Sequence, residues 1–210
     1  MKEDSVMFPC GELALEGYLH PPSGNGPFPA VVVCHPHPMF GGDMSNNVVM
    51  EVCAGLVRKG IAAFRFNFRG VGRSQGRYGQ GVEEQKDAAA ALDLVASNPA
   101  VESDRLGLAG YSFGSNVAFS VAIKNGRVGA LALISPWLKD HEWNQLRDWP
   151  RPRFLIWGGR DEFVLKNMRE VAENLSTSSS YEVVTGTDHF WWGYEGRMAE
   201  SVAAFFAVNL

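Results

Sequence analysis

The chain has no apolar run long enough to cross a bilayer, no block of like charges, and only three cysteines. Each absence excludes something. A bilayer span needs about twenty consecutive apolar residues, so no transmembrane segment is expected. A net charge of −4 without a basic cluster gives no electrostatic reason to expect nucleic acid or an anionic membrane surface as a partner. Cys10, Cys34 and Cys53 are odd in number and widely spaced, which fits neither a disulfide framework nor a paired-cysteine metal site. They read as small buried thiols. The N-terminal stretch MKEDSVMFPCGELALEG carries acids where a secretory leader needs a basic start and a long apolar block, so a cytoplasmic location is expected.

What is present is an ordinary core-forming composition, 46% hydrophobic and 20% charged, over 210 residues, which predicts one domain spanning 1–210. Two loosely alternating segments near the start predict an antiparallel pair. AVVVC (30–34), IAAFRF (61–66), RLGLAGY (105–111), VGALALI (128–134), RFLIWG (153–158) and YEVVTG (181–186) then read as strands. Helical patterns separate them at 45–60, 82–97, 115–124 and 163–175, and 195–210 closes the chain. Ser45 or Asn46 is placed to cap the first of these helices. Continuous apolar strands alternating with helices predict an α/β fold: a mostly parallel twisted sheet with helices on both faces.

Two stretches match Gly-x-Ser-x-Gly: GRSQG (72–76) and GYSFG (110–114). With 15 serines and 23 glycines in 210 positions, chance supplies roughly 0.2 matches, so the pattern alone decides little. Context decides. A nucleophilic serine of this type sits on a sharp turn between a buried strand and a helix, where the amide after it and the helix N-terminus face a developing oxyanion. LGLA runs into GYSFG and a helix leaves it, whereas GRSQG lies in a glycine-rich loop. Ser112 is therefore the candidate nucleophile, and Ser74 reads as a polar residue of a flexible loop.

A serine hydroxyl needs a histidine to take its proton and a carboxylate to orient that histidine. Of five histidines, His189 follows the last strand in the loop TDHFWWG, just before the closing helix. Asp161 follows RFLIWG in the loop GRDEF, with Glu162 and Asp188 as alternatives. The chain order Ser112, Asp161, His189 is that of the α/β-hydrolases. One oxyanion donor is expected at the Phe113 amide. The second is expected from CHPHPMFGG, where Pro36 and Pro38 have no N–H and His37, Met39 and Phe40 remain as candidates. His35 and His37, without a third ligand at fixed spacing, point to no metal site.

These motifs give the chain its likeness. VVVCHPHPMFGGDMSNN, RFNFRGVGRSQG, GYSFGS, GGRDEFV and GTDHFWWG together make it resemble the small, lidless α/β-hydrolases related to dienelactone hydrolases and short esterases. The resemblance covers nearly the whole chain. It implies an α/β-hydrolase fold without a cap domain, since the segment between the strands LALIS and RFLIW is short. It also implies a serine hydrolase acting on small carboxylic esters, with no cofactor. Mapped from relatives with His-Gly-x in the first loop, the second oxyanion donor is His37; this chain departs in having Pro36 where glycine is usual. Cysteine, the nucleophile of dienelactone hydrolases proper, is replaced by Ser112. Phe40, Trp137, Trp143, Trp191 and Trp192 are expected as pocket walls, and the exposed sheet edge as a possible homodimer contact.

Overall fold

The computed structural model describes residues 2–138, 140–164, 168 and 179–210. Their strands are β1 (Asp4–Cys10), β2 (Leu13–His20), β3 (Phe28–Cys34), β4 (Ala62–Phe66), β5 (Val101–Tyr111), β6 (Val128–Ile134), β7 (Arg153–Gly158) and β8 (Ser179–Val184). They form one sheet in the order β1-β2-β4-β3-β5-β6-β7-β8. β1, β2 and β4 pair antiparallel, and every pairing from β4 to β8 is parallel. The central strands are apolar on both faces because both faces are covered: β4 is buried at every position, and so is β7.

Helices α1 (Asn47–Arg58) and α5 (Glu195–Asn209) pack one face; α2 (Glu84–Ala96) and α3 (Phe113–Ala122) pack the other. Asn46 is the cap of α1, its side-chain oxygen accepting from the Val48 amide at 3.0 Å. A short helix, α4 (Asp140–Asp148), lies in the short polar connection between β6 and β7, where the sequence pattern predicts no element. Trp143 and Leu146 from it and Trp149 just after it enter the core, and no cap domain is inserted there. The last strand begins two residues earlier than expected. The helix expected over 163–175 lies for the most part outside the described residues.

The strand order places the site. β4 lies on one side of β3 and β5 on the other, so the chain reverses its direction of travel across the sheet between β3 and β5. The loops leaving the carboxyl ends of those two strands diverge there and open a crevice. They are the loops that carry His37 and Ser112.

Candidate active site

Ser112 follows β5 directly and has φ 54° and ψ −118°, a conformation that side chains rarely adopt. It is imposed by a corner too tight for Cβ atoms at its flanks. A methyl group on Gly110 would stand 2.1 Å from the Gly114 carbonyl oxygen, and one on Gly114 would stand 2.3 Å from that of Cys34. The Ser112 amide donates to Ile134 O at 2.9 Å, which ties the turn to β6. Phe113 begins α3, so its amide is one of those a helix leaves without an internal acceptor.

The Ser112 hydroxyl meets His189 Nε2 at 2.9 Å, and His189 Nδ1 meets both Asp161 carboxylate oxygens at 2.9 Å. Since a carboxylate only accepts, Nδ1 carries the proton, and Nε2 presents its lone pair to the serine. The structure thus brings together the three residues expected from strand position, and it takes neither Glu162 nor Asp188 as the histidine's partner. Asp188 instead accepts from the Phe190 amide at 2.9 Å.

Burial raises the Asp161 carboxyl, but hydrogen bonds from His189 and Ser135, the nearby imidazole and the Phe163 amide more than offset it. The group is held below its ordinary value. Its side chain is fully buried, and the His189 ring is 12% exposed. The histidine loop is fixed from two directions. Tyr111 Oη donates to His189 O at 2.7 Å, and the Arg160 amide donates to Thr187 O at 2.9 Å. Gly158 permits this approach, because a Cβ there would lie 2.5 Å from Thr187 O.

The loop after β3 is held by its two histidines. Phe68 N–H donates to His35 Nε2 at 3.1 Å, so His35 Nδ1–H donates to Pro36 O at 2.7 Å. Burial pushes the His35 imidazole down to about 4, which keeps this arrangement neutral. His37 Nδ1 accepts from the Met39 amide at 3.1 Å, and its Nε2 lies 3.0 Å from Tyr78 Oη. The Phe40 amide is used as well, donating to His37 O at 3.0 Å. Of the three candidate donors, Met39 and Phe40 are therefore committed within the loop. Among the described residues the His37 amide has no acceptor, and the His37 ring lies 4.8 Å from the Phe113 ring, tilted 55° to it.

The surroundings are aromatic and open. Phe40 is 87% exposed, and Trp137, Phe163, Phe190 and Trp192 are also exposed. Phe163 lies 4.8 Å from the His189 ring. Two expected wall residues are not walls. Trp143 is buried in the core beneath α2 and α3. Trp191 is fully buried on the opposite face of the sheet, against the core under α1 and α5. Its φ of 64° turns the side chain inward between exposed Phe190 and Trp192, so it cannot touch a substrate. Phe163, Phe190 and Tyr78 were not anticipated. The only signal for the first two was their place beside the acid and the histidine.

The fold and the absence of a cap define a small, lidless α/β-hydrolase. Over residues 27–180 the chain matches the family described as serine aminopeptidase, S33, and it belongs to that family. An uncharacterized protein of Rickettsia prowazekii, RP471, is 34% identical over 197 residues, covering 89% of this chain and 81% of that one. An alpha-beta serine hydrolase homologue from Coxiella burnetii superposes with a TM-score of 0.86 at 30% identity, covering 97% of both chains. XC6422 from Xanthomonas campestris, an α/β serine hydrolase without a lid, gives a TM-score of 0.82 at 27% identity, covering 98% of this chain and 94% of that chain.

Proposed function

We propose that this chain is a carboxylesterase that cleaves small acyl esters through an acyl-enzyme on Ser112. The observation that carries this reading is the continuous hydrogen-bonded chain Ser112–His189–Asp161, with the lone pair of His189 Nε2 directed at the serine hydroxyl. As Ser112 Oγ attacks the ester carbonyl carbon, its proton passes to His189 Nε2. The Asp161 carboxylate holds the imidazolium through Nδ1–H and does not itself become protonated. The carbonyl oxygen, now an anion, accepts from the Phe113 and His37 amides, for which no acceptor is found among the described residues.

Collapse of the tetrahedral intermediate breaks the bond to the alcohol oxygen, which takes the proton from His189 and leaves. A water molecule then gives its proton to His189 and attacks the acyl carbon. The carboxylic acid departs, and the proton returns to Ser112. The exposed rings of Phe40, Trp137, Phe163 and Phe190 offer apolar surface to the acyl or alcohol group. The three unpaired thiols fit the reducing cytoplasm, where we place the protein.

The test is turnover of p-nitrophenyl acetate together with labelling by a fluorophosphonate probe, each compared between wild type and Ser112→Ala. Both activities are expected in the wild type and neither in the variant, with no effect of EDTA. Labelling of the variant at the wild-type rate overturns the reading. The family's description makes aminoacyl p-nitroanilides the necessary competitor substrates: faster cleavage of these than of the ester would make the chain an aminopeptidase with the same site.

A further inference from the structure

The loop of the GRSQG motif does reach the active site, through a residue just beyond it. We infer that Tyr78 is a positioning residue for the oxyanion hole: its hydroxyl and ring hold His37, and so set the gap between the His37 and Phe113 amides, an inference that rests on the role proposed for those amides.

The three side chains form a closed triangle of rings. The centroids of His37 and Phe113 are 4.8 Å apart, those of His37 and Tyr78 5.1 Å, and those of Tyr78 and Phe113 5.9 Å. His37 comes from the loop after β3, Phe113 from the start of α3, and Tyr78 from the loop after β4. A third segment of chain thus ties together the two sides of the crevice. The hydrogen bonds give the triangle a direction. His37 caps the turn Pro38–Phe40, its Nδ1 accepting from the Met39 amide at 3.1 Å. A neutral imidazole that accepts at Nδ1 carries its hydrogen on Nε2, so Nε2–H donates to Tyr78 Oη at 3.0 Å. Burial holds the His37 ring below its ordinary pKa, which favours that neutral form. Both ring nitrogens are therefore tethered, one to its own turn and the other to Tyr78.

Tyr78 is itself held from behind. The carboxylate of Glu84, fully buried in the first turn of α2, accepts from the Gly79 amide at 2.7 Å and from the Gly81 amide at 2.8 Å. Between those glycines Gln80 has a φ of 59°, a conformation that persists only where the surroundings over-determine it. Gly81 also borders the site, since a Cβ there would lie 3.3 Å from the Phe113 ring. A tyrosine that served packing alone would tolerate phenylalanine without catalytic loss, because the triangle of rings survives that change. A positioning Tyr78 would not. Without Oη the His37 ring loses one of its two tethers, and the His37 amide is no longer fixed where the oxyanion forms.

The test is Tyr78→Phe, followed by kinetics and by NMR of protein carrying isotope-labelled histidine. With p-nitrophenyl acetate, kcat is expected to fall about tenfold while KM stays within about twofold, because an oxyanion donor acts on the transition state and not on the bound ester. A folded Tyr78→Phe with the wild-type kcat overturns the inference. In the wild-type NMR spectrum, the His37 ring, assigned by its loss in His37→Ala, should carry its hydrogen on Nε2 and exchange it slowly with water. In Tyr78→Phe that exchange should quicken. A His37 hydrogen on Nδ1 overturns the inference whatever the activity. A wild type that neither turns over the ester nor labels with a fluorophosphonate counts against the esterase reading, and the ring signal still decides whether Tyr78 holds His37.

Discussion

GRSQG and GYSFG share a pattern and almost nothing else. Ser74, in the first, is 5% exposed; its hydroxyl donates to Asn67 O at 2.7 Å and accepts from the Glu16 amide at 3.0 Å. Those two bonds to backbone pin the loop after β4 against β2. The sequence predicts a polar residue in a flexible loop here; the structure places that serine buried and bonded to backbone, while the residues around it face solvent. The Ser112 hydroxyl has no such backbone partner. Its companion is an imidazole, and its turn feeds a helix whose first amide has no acceptor among the described residues. A serine becomes a candidate nucleophile through what its hydroxyl is left to do, and the flanking glycines do not distinguish the two cases. His35 joins the stretches physically: its ring accepts from Phe68, which leads toward GRSQG, and its carbonyl would lie 2.6 Å from a Cβ on Gly114.

The sharpest break between them is chemical. Ser112→Ala should lower kcat/KM by about 10⁴-fold or more with an unchanged unfolding midpoint. Gly114→Ala strikes the same corner through backbone overlap, and a urea titration should show a loss of about 3 kcal/mol.

His35 tests the joint through pH. Its folded pKa of about 4 lies below the ordinary 6.5, so under acid the unfolded chain binds a proton that the fold refuses. Stability is complete above pH 6.5 and declines as pH falls toward 4, by on the order of 3 kcal/mol. His35→Gln, which can still accept from Phe68, should flatten urea-derived stability across that window. The smallest catalytic effect is expected at Ser74. Ser74→Ala strands a buried amide and a carbonyl and should cost about 2 kcal/mol of stability, while kcat stays within about tenfold. A dead Ser74→Ala with normal stability would reverse the assignment of the two serines.

Much of this arrangement was legible because catalytic side chains on a parallel sheet must come from the ends of its strands. Asp161 and His189 follow apolar runs whose identity as strands is plain, so their positions fixed their candidacy. The N-terminal pair and the cap at Asn46 were readable for similar local reasons. Less was readable where several similar residues compete. Phe190, Trp191 and Trp192 are consecutive aromatics, and only the left-handed backbone at 191 decides which one enters the core. Helix α4 gave little signal because its apolar residues, Trp143 and Leu146, are sparse among polar ones and the segment is bounded by prolines. Nor could the sequence show that the amides of Met39 and Phe40 are spent inside their own loop, which only the folded backbone reveals.

The exposed aromatics have a consequence for how the protein can change. Three of them fall into two groups, Phe40 against the His37 ring at 4.8 Å, and Phe163 with Phe190 at 6.4 Å around His189. Substitutions within one group share contacts, so their effects will depend on one another. Substitutions in different groups act on loops from different strand ends and will combine more nearly additively. If these rings meet the substrate of the proposed esterase, its preference has two separable routes of change, each open to single-residue steps that leave the sheet and its tight turn untouched.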